Sequence, residues 1–175
     1  KDTLRYGRLR WAEINSGLIL KARTVNERNE TIEQFAFTQL QINVPINKEA
    51  LKPRFAAEST AWRIHNAQAS QSLSAGGGWL FKAQLPGFKK SAGMKRQASQ
   101  GGTVETTHFI FTDGLSSISL FIEPLADRKA EQATYSVGAI NVYKRATENH
   151  LLTVLGEVPM ATLMRLGDGM ELKRK

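Results

Sequence analysis

Five cations, Lys82, Lys89, Lys90, Lys95 and Arg96, fall within fifteen residues, and no acid interrupts them before Glu105. Three aromatics, Trp79, Phe81 and Phe88, flank the run. Cations interleaved with aromatics can meet carboxylates or phosphates through charge, stack on bases, or dip into a lipid headgroup layer. Trp79 and Phe81 alternate as core residues of a strand do, whereas Phe88, between a Pro-Gly pair and two lysines, is the aromatic best placed to reach a partner. Reactive chemistry is thin elsewhere. The histidines at 65, 108 and 150 are more than forty residues apart and none has a second ligand at metal-motif spacing, so no metal site is expected. The acids occur singly. Ser116, Ser117 and Ser119 lie in a strand pattern without the glycine-flanked elbow that exposes a nucleophile. Gly76-Gly77-Gly78 lacks the Lys-Thr ending of a phosphate loop and precedes a strand rather than a helix. Cysteine is absent, which excludes disulfides, thiolate metal sites and thiol nucleophiles. No cofactor is implied.

The chain of 175 residues is 41% hydrophobic, enough to bury real cores, and carries a net charge of +8. A basic balance favours acidic partners and is silent on fold. The charge is spread evenly: residues 1–45, 46–75, 76–125 and 126–175 each carry a net +2. That argues against a dedicated nucleic-acid-binding domain. No apolar run approaches the roughly 20 residues that span a bilayer as a helix, and no signal peptide is visible. The chain begins at Lys1 rather than methionine, which leaves room for a targeting segment or a preceding region upstream.

The elements that must position these groups read as strands. Residues 1–45 form a three-stranded meander: Leu9 and Trp11 alternate with Arg8 and Arg10, then Leu18, Leu20 and Ala22 with Lys21 and Arg23, and a long third strand runs from Thr31 to Val44. Three strands with one apolar face need a covering surface. This piece therefore reads as the end of a larger domain. Residues 46–75 lose the period and read as a linker, with one helical turn capped by Asn47 and ended by Pro53, and with small polar residues at 67–72. A boundary near residue 75 follows.

Beyond it the pattern predicts a small α+β domain over 76–175, of about six antiparallel strands and one terminal helix. Trp79 to Leu85 and Phe88 to Arg96 read as a hairpin about Pro86-Gly87. Thr103 to Thr112 and Leu115 to Glu123 read as a second hairpin, about a two-residue Asp113-Gly114 turn. That turn pairs Thr112 with Leu115 and Phe109 with Ile118. It puts Phe109, Phe111, Ile118, Leu120 and Ile122 on one apolar face, and His108, Ile110, Ser117, Ser119 and Phe121 on a mixed one. After a polar loop at 127–132, Tyr135 to Tyr143 and Leu151 to Val158 read as single strands. A helix with Pro159 in its first turn carries Leu163, Met164 and Leu166.

Three stretches, THFIFTDGLSSISLFIEP, WLFKAQLPGFK and LLTVLGEVPMATLMRL, together resemble the C-terminal domain of the RseB/MucB family of periplasmic negative regulators of an envelope-stress sigma factor. RYGRLRWAEINSGLILKARTVNERNETIEQFAFTQLQI resembles the last strands of that family's large domain, a half-open barrel similar to lipoprotein carriers of the LolA type. The resemblance implies a sensor rather than an enzyme, located in the periplasm. Such a protein binds the periplasmic segment of a membrane-spanning anti-sigma factor of the RseA/MucA kind, shields it from proteolysis, and releases it when lipoprotein or lipopolysaccharide signals damage.

Within that frame Lys82, Phe88, Lys89, Lys90, Lys95 and Arg96 are the expected partner-binding patch, facing acidic residues of the anti-sigma segment or lipopolysaccharide phosphates. The alternative is a lipid or lipoprotein carrier, which would need an apolar cavity lined by Leu9, Trp11, Leu18, Leu20, Leu40 and Ile42. A hydrolytic enzyme ranks third. Exposed edges of the meander could also pair with a second copy in a homodimer. Charge reversal at Lys89 and Lys90 is expected to weaken partner binding, with most of the loss at low salt, as calorimetric titration at two ionic strengths would read.

Overall fold

The protein is described here by a computed structural model covering residues 2–52, 71–72, 78–97, 105–125 and 132–173. Its contacts group residues 1–36 and 70–175 into one compact unit and 37–69 into another. In the smaller unit the described residues hold a single 3-10 turn, Lys48–Leu51, whose N-cap Asn47 accepts from the Glu49 N–H at 3.0 Å. That is the expected cap. The expected stop at Pro53, His65 and the small polar stretch up to residue 70 lie outside the described residues.

The larger unit opens with the meander, β1 (Gly7–Ala12), β2 (Ile19–Val25) and β3 (Thr31–Ala36), paired in the order β1-β2-β3. The third strand is shorter than its sequence pattern suggests. Its last pair is Ala36 with Lys21, where β2 is bulged against β1.

A seven-stranded antiparallel sheet follows. Its strands are β4 (Gln71–Ser72), β6 (Lys89–Gln97), β7 (Glu105–Thr112), β8 (Ser117–Pro124), β9 (Ala133–Val137), β10 (Ile140–Ala146) and β11 (His150–Gly156). They lie in the order β4-β6-β7-β8-β11-β10-β9. A separate two-stranded ribbon pairs β5 (Trp79–Phe81) with β12 (Met170–Leu172). The expected hairpin between the strand at Trp79 and the strand at Lys89 is therefore absent. Pro86-Gly87 instead makes a tight turn, closed by the Phe88 N–H donating to the Leu85 carbonyl at 3.0 Å, with Gly87 at φ 86°. That turn redirects the chain from the ribbon to the sheet.

The β7–β8 hairpin keeps its predicted faces but not its predicted register. Thr112 pairs with Ser117 and Phe111 with Ile118, two residues off the expected pairing, across a four-residue loop rather than a two-residue one. The cause is the Asp113 carboxylate, which accepts from the Leu115 and Ser116 N–H groups at 2.9 and 2.7 Å and stabilises the longer loop. A shift of two preserves which side each residue faces. A true two-residue loop occurs instead at Gly138-Ala139, where Val137 pairs with Ile140 and Gly138 has φ 60°, as a type II′ turn requires. It splits the single strand expected over 135–143 into β9 and β10.

The core lies on one side of the sheet. Phe109, Leu120, Leu152 and Val154 are fully buried, and helix α1 (Met160–Asp168) covers them with Leu163 and Leu166. Pro159 occupies the N-cap, just ahead of the first turn where the sequence puts it, and Gly169 is the C-cap. Burying each leucine contributes about 1.5–3 kcal/mol. The ribbon closes one end: Phe81 stacks edge-on against Phe109 and Phe111, with centroids 5.1 Å apart in both pairs. Trp79 lies buried edge-on against His150.

Gly156 sits where a Cβ would lie 2.6 Å from the Ser117 carbonyl oxygen and 3.3 Å from the Ile118 Cα. Both are backbone atoms that cannot swing aside. Gly156→Ala should therefore force β8 and β11 apart and cost about 2 kcal/mol, measured as a lowered denaturation midpoint.

Candidate partner-binding surface

Residues 2–8 are bound to the small domain by a clasp that the spacing of residues did not reveal. The Leu4 side chain is buried in the core, and its carbonyl accepts from the Thr162 hydroxyl at 3.0 Å. Arg5 spends its guanidinium on four partners: Nε donates to the Asp113 carboxylate, Nη1 to Asp2 at 2.5 Å, Nη2 to the Pro86 carbonyl at 2.8 Å, and the plane lies 4.5 Å from the Phe88 centroid. Asn141 donates to Tyr6 Oη at 2.6 Å and to the Val158 carbonyl at 2.7 Å, while accepting from the Ser136 hydroxyl at 2.5 Å. Arg8 reaches Glu157 at 3.5 Å. The β7–β8 hairpin loop is thus anchored from outside itself.

Electrostatics agree with that geometry. Burial opposes the charged form of Asp113, but hydrogen bonds from the Ser116 N–H, Arg5 and the Leu115 N–H outweigh it and hold the carboxyl below its ordinary value. Tyr143 is pushed up to about 12, first by burial and then by donating to Asp168 at 2.7 Å. Arg145 caps the end of α1, donating to the Gly167 carbonyl at 2.9 Å. These contacts tie the hairpin loop and the end of α1 to the rest of the small domain. Among the described residues no cluster of three or more His, Asp or Glu could hold a metal ion, and no helix is long and apolar enough to cross a membrane.

The structure does not bring the predicted cationic patch together. Lys90 and Lys95 pair with Phe111 and Thr107 and so share the core-side face, whereas Lys89 pairs with Thr112 on the other. A bulge between Lys90 and Ala92 helps set this division. Lys90 lies 5.5 Å from the Phe109 centroid and 5.7 Å from that of Phe81. Lys95 forms an ion pair with Glu105, and Lys82, on the ribbon side, pairs with Glu171 at 2.5 Å. Arg96 stands opposite Thr106 in the register. Phe88 is half-buried beneath Arg5 and packs on the core.

The meander residues also divide. Leu9 and Trp11 pair with Arg23 and Lys21 and therefore share their face, with Lys21 Nζ 4.9 Å from the Trp11 centroid. Leu20 has the opposite parity, that of Ala22, which faces Arg10 and Phe35. Leu18 precedes β2, and Leu40 and Ile42 belong to the smaller unit. A shallow pocket of about 160 Å³ is lined by Arg8, Leu9, Arg10, Arg23, Glu33 and Phe35 among others. On the small domain, exposed apolar side chains gather at the β9–β10 hairpin, as Tyr135, Val137 and Ile140.

Comparison with known proteins places this architecture. The model of the MucB/RseB C-terminal domain matches residues 74–171, and that of the MucB/RseB N-terminal domain matches residues 1–55. The chain belongs to the MucB/RseB family. The sigma factor AlgU regulatory protein MucB of Pseudomonas aeruginosa is 28% identical over 170 residues, covering 95% of this chain and 52% of that protein. Among solved structures, MucB in complex with MucA(peri) superposes with a TM-score of 0.80 at 25% identity, covering 100% of this chain and 60% of the other. The Pseudomonas aeruginosa MucA/MucB complex gives a TM-score of 0.80 at 25% identity, covering 100% and 58%. The chain spans about half the length of the curated relatives it matches.

In this MucB/RseB chain the clasp carries a measurable charge. Replacing Arg5 by Ala should cost about 2 kcal/mol of stability at neutral pH, because it strips charged hydrogen bonds from a largely buried carboxylate. The Asp113 carboxyl titrates lower in the folded protein than its unfolded value of about 3.9. The clasp is therefore at full strength above that value and fades as pH falls through the folded one. Denaturation between pH 7 and pH 2 should show the Arg5→Ala deficit shrinking toward the acid end.

Proposed function

We propose that this chain is part of a periplasmic regulatory protein that binds the periplasmic segment of a membrane-bound anti-sigma factor of the MucA type. Bound, it protects that segment from regulated proteolysis. It lets go when lipoprotein or lipopolysaccharide signals envelope damage. The observation that carries this reading is the superposition of the whole chain, at a TM-score of 0.80, on MucB in complex with MucA(peri).

The physical character of the surface supports it. Binding of this kind needs shape, exposed apolar anchors and complementary charge, and no perturbed catalytic group. The chain offers a net charge of +8 and apolar side chains such as Tyr135 and Val137 at its surface. We assign the contact to the small domain over 76–175 and the linker before it, with Lys89 and Lys90 contributing charge from opposite faces of β6.

The carrier reading ranks second. Exposed Leu9, Trp11 and Phe35 favour it, but the pocket beside them holds about 160 Å³, below the roughly 300 Å³ at which small-molecule sites begin. Calorimetric titration of the chain with a MucA-type periplasmic segment, at low and at moderate salt, tests the proposal. Binding that weakens with salt is the expected result; no heat at either salt would remove the contact from these residues.

A further inference from the structure

The two edges of the seven-stranded sheet are treated differently. At one, β4 spans two residues, and its neighbour β6 is bulged and carries Lys89, Lys90 and Lys95. Charges, short strands and bulges are how proteins keep a sheet edge from accepting another strand. At the other edge β9, Ala133-Thr134-Tyr135-Ser136-Val137, has no charge, no proline and an unbroken register with β10.

The hairpin geometry says which backbone groups β9 offers. In a two-residue hairpin the pair that closes the loop exchanges both hydrogen bonds, and pairs alternate from there. Val137–Ile140, Tyr135–Val142 and Ala133–Lys144 are therefore the bonded pairs. Thr134 and Ser136 point their N–H and C=O groups away from the sheet.

One flank of this edge is apolar. Tyr135 and Val137 share a side with Ile140, and relative exposures of 45%, 66% and 40% leave all three open. Lys144 lies on the same side with its Nζ 5.8 Å from the Tyr135 centroid. Strands β9, β10 and β11 contain no carboxylate to answer it.

We propose that β9 is a docking edge at which an extended segment, alternately apolar and bearing an acid opposite Lys144, adds as a further antiparallel or parallel strand. The inference rests on the function proposed above: the segment is a stretch of the anti-sigma factor's periplasmic region. Backbone bonds at Thr134 and Ser136 supply affinity, and side chains beside Tyr135 and Val137 supply selectivity. A second copy of this chain fits less well, because each copy carries +8 and would bring its own Lys144 to the seam.

Two substitutions and one spectroscopic readout test the edge. Thr134→Pro removes an outward donor and no bond of the ladder, and Val137→Lys places a charge on an exposed site. In titration with a MucA-type periplasmic segment, each should weaken binding at least tenfold while the melting temperature stays that of the parent chain. Amide exchange at Thr134 and Ser136 should slow in the complex. If the proline variant unfolds, Val137→Lys and the exchange rates decide. Parent-level affinity in a folded variant, with unprotected amides, would overturn the docking edge and leave the proposed function standing. Failure of the parent chain to bind would overturn both. Should Val137→Lys instead abolish a dimer seen by sedimentation, with partner affinity unchanged, the edge belongs to self-association and the proposal falls.

Discussion

One row of side chains, crossing four strands, organises the small domain. Phe109 stands opposite Leu120, Leu120 opposite Val154, and Val154 opposite Tyr143, all buried and all on one side of the sheet. Cross-strand neighbours of this kind are the unit of sheet stability, and a continuous row couples β7, β8, β11 and β10 into one cooperative surface. Everything else answers to it. The helix lays Leu163 and Leu166 over the row, the ribbon brings Phe81 to its β7 end, and Arg145 and Asp168 tie the helix terminus back to β10.

The faces of that sheet were legible from alternation, because parity survives any error of two residues. The register was not, since it turned on the Asp113 carboxylate choosing to cap a four-residue loop, and a local Asp-Gly pair does not reveal which loop its side chain will close. Gly138-Ala139 was hidden for the reverse reason: Gly-Ala is a weak turn signal, and Val137 and Ile140 flank it with strand-forming residues. Lysines crowded in sequence were scattered in space, because a strand sends successive residues to opposite sides and the bulge after Lys90 changes the count. The partners of Arg5, at Pro86 and Asp113, lie too far along the chain for any local pattern to forecast.

The clasp also changes the meaning of the first residues. Leu4 completes the small domain's core, and Tyr6, Asn141 and Ser136 form a hydrogen-bonded chain from the N-terminal segment to the Ser136 hydroxyl on β9. The free edge and the anchored terminus are thus joined by polar contacts that a purely apolar core would not provide. Such networks are costly when half-satisfied, so each member constrains the others.

The bond from Thr162 to the Leu4 carbonyl spans 158 residues of sequence, and the ribbon pairs residue 79 with residue 172. Contacts of that separation are closed late and at high entropic cost. A chain folding from its N-terminal side forward would expose Leu4 and the apolar sheet face until the helix arrives. For that interval the apolar face is open to water and to other unfinished chains.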